Sequence, residues 1–277
     1  PSVGFLLGLG IKNSEHLVLL MFIEGGFAIA VVVAWSLLPR KPKVPPSLSQ
    51  EFRSTTAPQH VPYRRWVSSV FLVLAGSFSI GVFQCWSPAL PTQLQGILPE
   101  SLLKWFAIIT ATASVVGNFL APPLLEMLKL QWRLKTAMAV MLLVHIAAFG
   151  VFAASLPDSP IALPVWKETT SSPVWLITWL VVASIAEGAV APMVYELSAE
   201  LTYPHSEGLT GAAFSWLLNF FGFLLLFIFP LVPSRYDSLM MMVTCVVSLI
   251  LLCFVHAEYP RRMLDENAEC QNAGLLT

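Results

Sequence analysis

Charge is what this sequence has least of. Only 11% of its 277 residues are Asp, Glu, Lys or Arg, while 56% are hydrophobic and the mean hydropathy is +0.74. Soluble domains carry about 25% charge. A chain this poor in it reads as a polytopic membrane protein whose first partner is the lipid bilayer. The net charge of −1 supplies no basic stripe to offset phosphates, which excludes a nucleic-acid partner. Cysteine is scarce and forms no framework: Cys85, Cys245 and Cys253 fall in apolar runs and Cys270 in a polar tail, so all four read as free thiols. There is no His-Glu-x-x-His, no Gly-x-Ser-x-Gly and no glycine-rich phosphate loop. The expectation is a protein that is not an enzyme and needs no metal and no cofactor. The chain opens at Pro1 with no basic leader or cleavage site, and so reads as a fragment of a longer protein.

What remains is a series of apolar runs. Residues 1–11 are too short to span, because a helix needs about 20 apolar residues to cross. Full crossings are expected at 17–38, 66–87, 104–125, 136–156, 174–198, 209–231 and 238–256, seven in all. Backbone groups in lipid must be satisfied internally, so crossings of this length are helices. Trp35, Trp66, Trp86, Trp105 and Trp175 fall near the expected membrane edges, where indole rings settle. The proline-rich stretch 39–65 is a polar linker carrying six basic residues. With that linker inside, 11 of the 15 Lys and Arg share its side, namely Arg40, Lys41, Lys43, Arg53, Arg64, Arg65, Lys129, Arg133, Lys135, Arg261 and Arg262. The positive-inside rule therefore makes the linker and the 257–277 tail cytosolic and the 157–173 loop luminal or extracellular.

Polarity that survives inside such runs marks function. Residues 187–208, EGAVAPMVYELSAELTYPHSEG, hold Glu187, Glu196, Glu200 and Glu207, four of the 16 acids in the chain. Glu187 lies near the centre of its span, beside Gly188 and five residues before Pro192. Two readings stand: a site that exchanges a proton as access switches sides, or a packing residue bonded to a neighbouring helix. Glu24, seven residues into its own span, is a second candidate for proton coupling. Glu196 and Glu200 share a helix face and repel, which calls for basic groups opposite, from the linker or from Arg133 and Lys135, in a salt-bridged cytosolic gate with Glu207. Gln84 lies close to the outer end of the 66–87 span and Asn219 in the middle of the 209–231 span, and amides within a helix bundle bond either a neighbouring helix or a substrate. Trp86 and Trp216 stand close to them and offer faces to a cation or a flat ring. His145, alone in an apolar helix, reads as a core histidine.

The run Pro192, Glu196, Glu200, Tyr203, Pro204, Glu207, Gly208 resembles the helix exit of solute carrier family 49 in the major facilitator superfamily. GVFQCWS, the linker PRKPKVPPS and the acid in MFIEGGF are similar to a lysosomal-membrane member of that family. The loop LEMLKLQWRLK departs from the superfamily pattern, lacking its Gly-x-x-x-Asp-Arg. The resemblance implies an all-α membrane protein: the end of helix 5 and helix 6 of an N-terminal bundle (1–38), the central cytosolic linker (39–65), a C-terminal six-helix bundle (66–256) and a cytosolic tail (257–277). It also implies proton-coupled transport of a small polar metabolite, pyridoxine-like, choline-like or haem-related, across the lysosomal membrane. Its partners would be that small-molecule substrate and the missing N-terminal bundle. Gln84 and Asn219 fall where the family's cavity residues lie. The rival readings are a non-transporting membrane scaffold and a seven-helix receptor, though the chain has no Asp-Arg-Tyr at a helix end and no Asn-Pro-x-x-Tyr in its last span.

Overall fold

The computed structural model describes residues 14–37, 60–87, 90–95, 97–157, 159–162, 172–228 and 231–274. Most of the linker, residues 38–59, and most of the 157–173 loop lie outside them. Among the described residues the protein is all-helical. Two compact units divide the chain, Pro1–Thr55 and Thr56–Thr277. The first contributes α1 (Ser14–Ser36). The second holds α2 (Tyr63–Trp86), α3 (Glu100–Met127), α4 (Leu134–Ser155), α5 (Pro173–Thr202), α6 (Glu207–Ile228), α7 (Asp237–Phe254) and α8 (Pro260–Gly274).

Among the described residues, five helices are long and apolar enough to cross a membrane: α2, Ser101–Met127 of α3, Gln131–Ser155 with α4, α5 and α7. The protein is an integral membrane protein on that ground. The other two expected crossings are helical as well, as α1 and α6. Within the expected polar tail, Pro260–Gly274 form α8, a helix of 15 residues.

Between Ser77 and Gly81, α2 widens into one turn of π-helix. Such a turn frees backbone carbonyls from the regular ladder. The Ala75 carbonyl accepts two hydroxyls, Ser79 Oγ from its own helix at 3.0 Å and Ser248 Oγ from α7 at 2.7 Å. Serine hydroxyls thus satisfy in lipid what water cannot reach.

Burial in the second unit falls into two hydrophobic clusters stacked along the helix axes. One contains Leu72, Leu134, Met138, Leu142, Met193, Leu197, Phe214 and Leu252. The other contains Phe83, Trp86, Phe106, Phe149, Phe152, Leu176, Leu180 and Met241. On α3, α4, α5 and α7 the change from one cluster to the other falls at a polar residue. On α4 the first cluster stops at Leu142 and the second starts at Ala148, with buried His145 between; on α5 they meet between Ala183 and Ala189, around buried Ser184 and Glu187. On α7 Ser248 lies between Cys245 and Leu252, and on α3 Thr110 and Ser114 lie between Phe106 and Ala121. The bundle core is therefore two apolar layers separated by a polar seam at mid-helix depth.

One end of the unit gathers the basic side chains. Arg64 at the start of α2 reaches His256, Arg65 donates to the Tyr203 carbonyl, and Lys135 donates to the carbonyls of Cys253 and Val255 at the end of α7. In sealed vesicles, epitope tags placed within 43–60 and after Arg262 should stay protected together, and a tag beside Ser159 should be labelled from the opposite side. Labelling of the first two from different sides would overturn the layout.

Candidate functional site

The seam is built where α3 and α5 cross, and glycine permits the crossing. A Cβ added to Gly188 would run into the carbonyl oxygen of Ser114, and one added to Gly117 into that of Ile185. The contacts are reciprocal: each glycine lies over the carbonyl of the residue three before the other. Helices in lipid approach this closely only through small residues. The crossing places Ser114 against Glu187, whose carboxylate is 2% exposed and accepts the Ser114 hydroxyl on Oε2 at 2.9 Å. Four residues on, Pro192 has no N–H to give the Gly188 carbonyl, so α5 is short of one ladder bond beside the buried acid.

His145 reaches the same helix one turn away. Its Nδ1 lies 2.8 Å from the Ala183 carbonyl, which can only accept, so Nδ1 carries the hydrogen. The ring stacks on Phe149 and meets the edge of Phe83, and Nε2 has no hydrogen-bond partner. His145 is a core histidine with one nitrogen satisfied.

At the basic end a second constellation closes over the exit of α5. Glu200 is fully buried. Its Oε2 accepts the backbone N–H of Arg261 at 3.1 Å, a cap on the first turn of α8, and its Oε1 lies 3.3 Å from Arg261 Nε and 3.4 Å from Arg262 Nε. Arg261 also donates to Glu207 at 3.0 Å and to Glu196, and Arg262 to Glu196 at 2.9 Å and to the Gln131 carbonyl. Three acids on α5 and α6 are held by two adjacent arginines on α8. Burial works against the Arg261 charge, but Glu196, Glu200 and Glu207 outweigh it and hold its pKa above the ordinary guanidinium value. A raised pKa keeps the contribution of this group intact until pH climbs past that value, far above any working range. The cluster therefore opens by moving α8 or by neutralising the acids, never by loss of an arginine proton.

The partners expected for these acids are corrected here. Arg133 and Lys135 are not among them, since Lys135 is occupied at the end of α7. The arginines come instead from α8, where Pro260-Arg261-Arg262 starts a new helix directly after the last crossing. A proline followed by two arginines at that point was the available signal.

The expected cavity residues separate. Gln84 and Asn219 are both exposed, on helices that touch: a Cβ at Gly81 of α2 would lie 2.8 Å from the Leu218 carbonyl of α6, and one at Gly222 2.7 Å from Cys85 Sγ. Asn219 donates to the Ser215 carbonyl of its own helix, and the Ser215 hydroxyl meets the Tyr195 hydroxyl of α5 at 2.9 Å. Trp216 is 65% exposed and stacked on Phe220. Trp86 differs from the expectation: it is fully buried, with its ring edge-on to Phe149 and Phe152, so its indole fills the core and faces neither a membrane edge nor an open surface. Glu24 lies on α1, and its side chain is outside the described residues. Cys85, Cys245 and Cys253 are free thiols. No family model and no curated protein matches this chain. The functional reading therefore rests on the seam, the cluster and the exposed amides.

Proposed function

We propose that this chain is the C-terminal bundle, preceding helix and central linker of a secondary-active transporter of the major facilitator type, which moves a small polar metabolite of the pyridoxine or choline class by alternating access. The observation that carries the reading is the polar seam, with Glu187 at its centre. Transporter sites lie near the bilayer midplane, beside helices whose ladder is interrupted. Glu187 is buried at mid-helix, next to a glycine contact and one turn before Pro192. An ionised acid at that depth costs roughly 2.5–3.5 kcal/mol, and taking up a proton removes that cost. Wetting the seam on one side, then on the other, would let Glu187 load and release that proton. The cluster of Arg261 and Arg262 with Glu196, Glu200 and Glu207 is the cytosolic gate in this reading, and Gln84, Asn219 and Trp216 face the substrate path. The lysosomal membrane is the proposed location.

The test is Glu187→Gln in the full-length protein, reconstituted and assayed with labelled pyridoxine and choline under an imposed pH gradient. Gln keeps the shape and accepts the Ser114 hydroxyl, so folding and membrane level should match the parent. Uptake should lose its dependence on the gradient while exchange down the substrate's own gradient persists. Unchanged pH dependence would leave Glu187 a packing residue, and no saturable uptake of any solute by the parent protein would favour a scaffold.

A further inference from the structure

The basic end holds a feature that the transport reading does not use. Between the start of α2 and the end of α7 lies a cavity of about 430 Å³, lined among others by Tyr63, Arg64, Ser68, Lys135, Phe254 and His256. It opens where two membrane-crossing helices end, since Tyr63 is the first residue of one span and Phe254 the last of another. That is the depth of lipid headgroups.

We infer that this cavity receives the phosphate headgroup of an anionic phospholipid from the leaflet beside it, held between Arg64 and Lys135. The first support is charge. Among the described residues neither Arg64 nor Lys135 forms an ion pair with a carboxylate, in contrast to Arg65, Arg261 and Arg262. Glu258, two residues after the lining His256, is engaged by Arg65 at 3.6 Å and faces His256 Nε2 at 3.8 Å. Arg64 Nη2 lies 3.3 Å from His256 Nδ1, and because a guanidinium only donates, that nitrogen is the acceptor. The other four N–H groups of Arg64 are left for a phosphate. The Lys135 ammonium gives two of its three N–H bonds to the Cys253 and Val255 carbonyls at 3.0 and 2.6 Å, which fixes its position and leaves the third. Basic pockets between crossing helices on the positively charged side take anionic headgroups for these reasons.

The second support is the rim. Tyr63 is 84% exposed and Phe254 63% exposed, and Phe254 is stacked on Phe71 at 5.4 Å between centroids, so an aromatic edge is held at the mouth. Exposed Trp66 and Val70 continue that face along α2 for acyl chains to lie against. A second cavity at the same end, about 520 Å³, is lined by Glu126, Glu196, Asp265 and Glu266 with Arg262, and its excess of acids would repel the same headgroup.

The experiment uses the purified full chain in mixed phosphatidylcholine and phosphatidylserine micelles, with native mass spectrometry reading the fraction that retains phosphatidylserine. Each basic group near an anionic surface contributes about 1 kcal/mol, which is about a fivefold change in affinity. Arg64→Gln should lower phosphatidylserine affinity about fivefold, and adding Lys135→Met about fivefold again, with phosphatidylcholine retention unchanged. Lys135 also holds the end of α7, so the exposed Arg64→Gln carries the decision if the double variant unfolds. Arg133→Gln, exposed on the same side but outside the cavity, cannot touch a headgroup bound there and is screened from it by salt, so affinity should change less than about twofold. An equal loss in Arg133→Gln, or none in Arg64→Gln, would overturn the site. Inorganic phosphate added to phosphatidylcholine micelles should not bind measurably; binding as tight as phosphatidylserine would make this a free-phosphate site and overturn the lipid assignment.

Discussion

Gly188→Leu should abolish the native bundle, and Gly188→Ala should weaken it by about 1–3 kcal/mol, the usual range for forcing extra atoms into a packed core. The atom that a new Cβ would strike is a backbone carbonyl, that of Ser114, which cannot turn aside as a side chain can. The only relief is to separate α3 from α5, and the reciprocal contact at Gly117 would be lost with it. Separation also lengthens the 2.9 Å bond from Ser114 to Glu187, leaving the buried acid without a partner. Unfolding in dodecyl sulfate, followed by circular dichroism and tryptophan fluorescence, gives the comparison. Gly211→Ala is the control, because a Cβ there meets nothing within 4 Å, and it should be neutral or slightly stabilising. Equal stabilities for Gly188→Ala and Gly211→Ala would show that the two helices are not in backbone contact.

The second large effect is at the cluster. Arg261→Ala combined with Arg262→Ala should cost about 3 kcal/mol, because removing one side of a buried pair strands the charge left behind. The estimate sits at the low end of that class since Glu196 and Glu207 keep about two-fifths of their side chains in contact with solvent and can rehydrate, whereas Glu200 keeps none. The loss should therefore trace to Glu200. Adding Glu200→Gln to the double variant removes the stranded charge and should recover most of the stability; adding Glu196→Gln should recover little. Failure of Glu200→Gln to rescue would mean that α8 is held by something other than these pairs. Release of α8 should also speed proteolysis between residues 255 and 265, which a helix docked on Glu200 protects.

Much of this architecture was legible because lipid removes alternatives. Apolar runs of about 20 residues can only be helices there, and the expected spans at 66–87, 136–156 and 174–198 match Tyr63–Trp86, Leu134–Ser155 and Pro173–Thr202 closely. Glu187 stood out as the one acid in mid-span beside glycine and proline, and its burial follows from that setting. Its partner was not legible, since Ser114 is one of many serines and only the α3–α5 crossing selects it. The same limit applied to Gly117 and Gly188: each is an ordinary glycine in sequence, 71 residues apart, and their mutual role exists only once the helices are side by side. Trp86 departs from its expected place at a membrane edge for the converse reason. Position near a helix end places an indole at the interface on average, but the ring can turn inward when Phe149 and Phe152 leave a slot for it. Glu196 and Glu200 at helical spacing call for cations, but no local signal says that the cations come from α8, beyond the end of α7, and not from the nearer basic loops.

The order in which these groups leave the ribosome has its own consequence. Arg261 follows Glu196 by 65 residues, so at about 5–20 residues per second the acids of α5 and α6 wait several seconds before their counterions exist. During that interval Glu200 has no guanidinium to pair with. The docking of α5 and α6 on α8 thus waits until Arg261 and Arg262 have been made, well after the acids they hold.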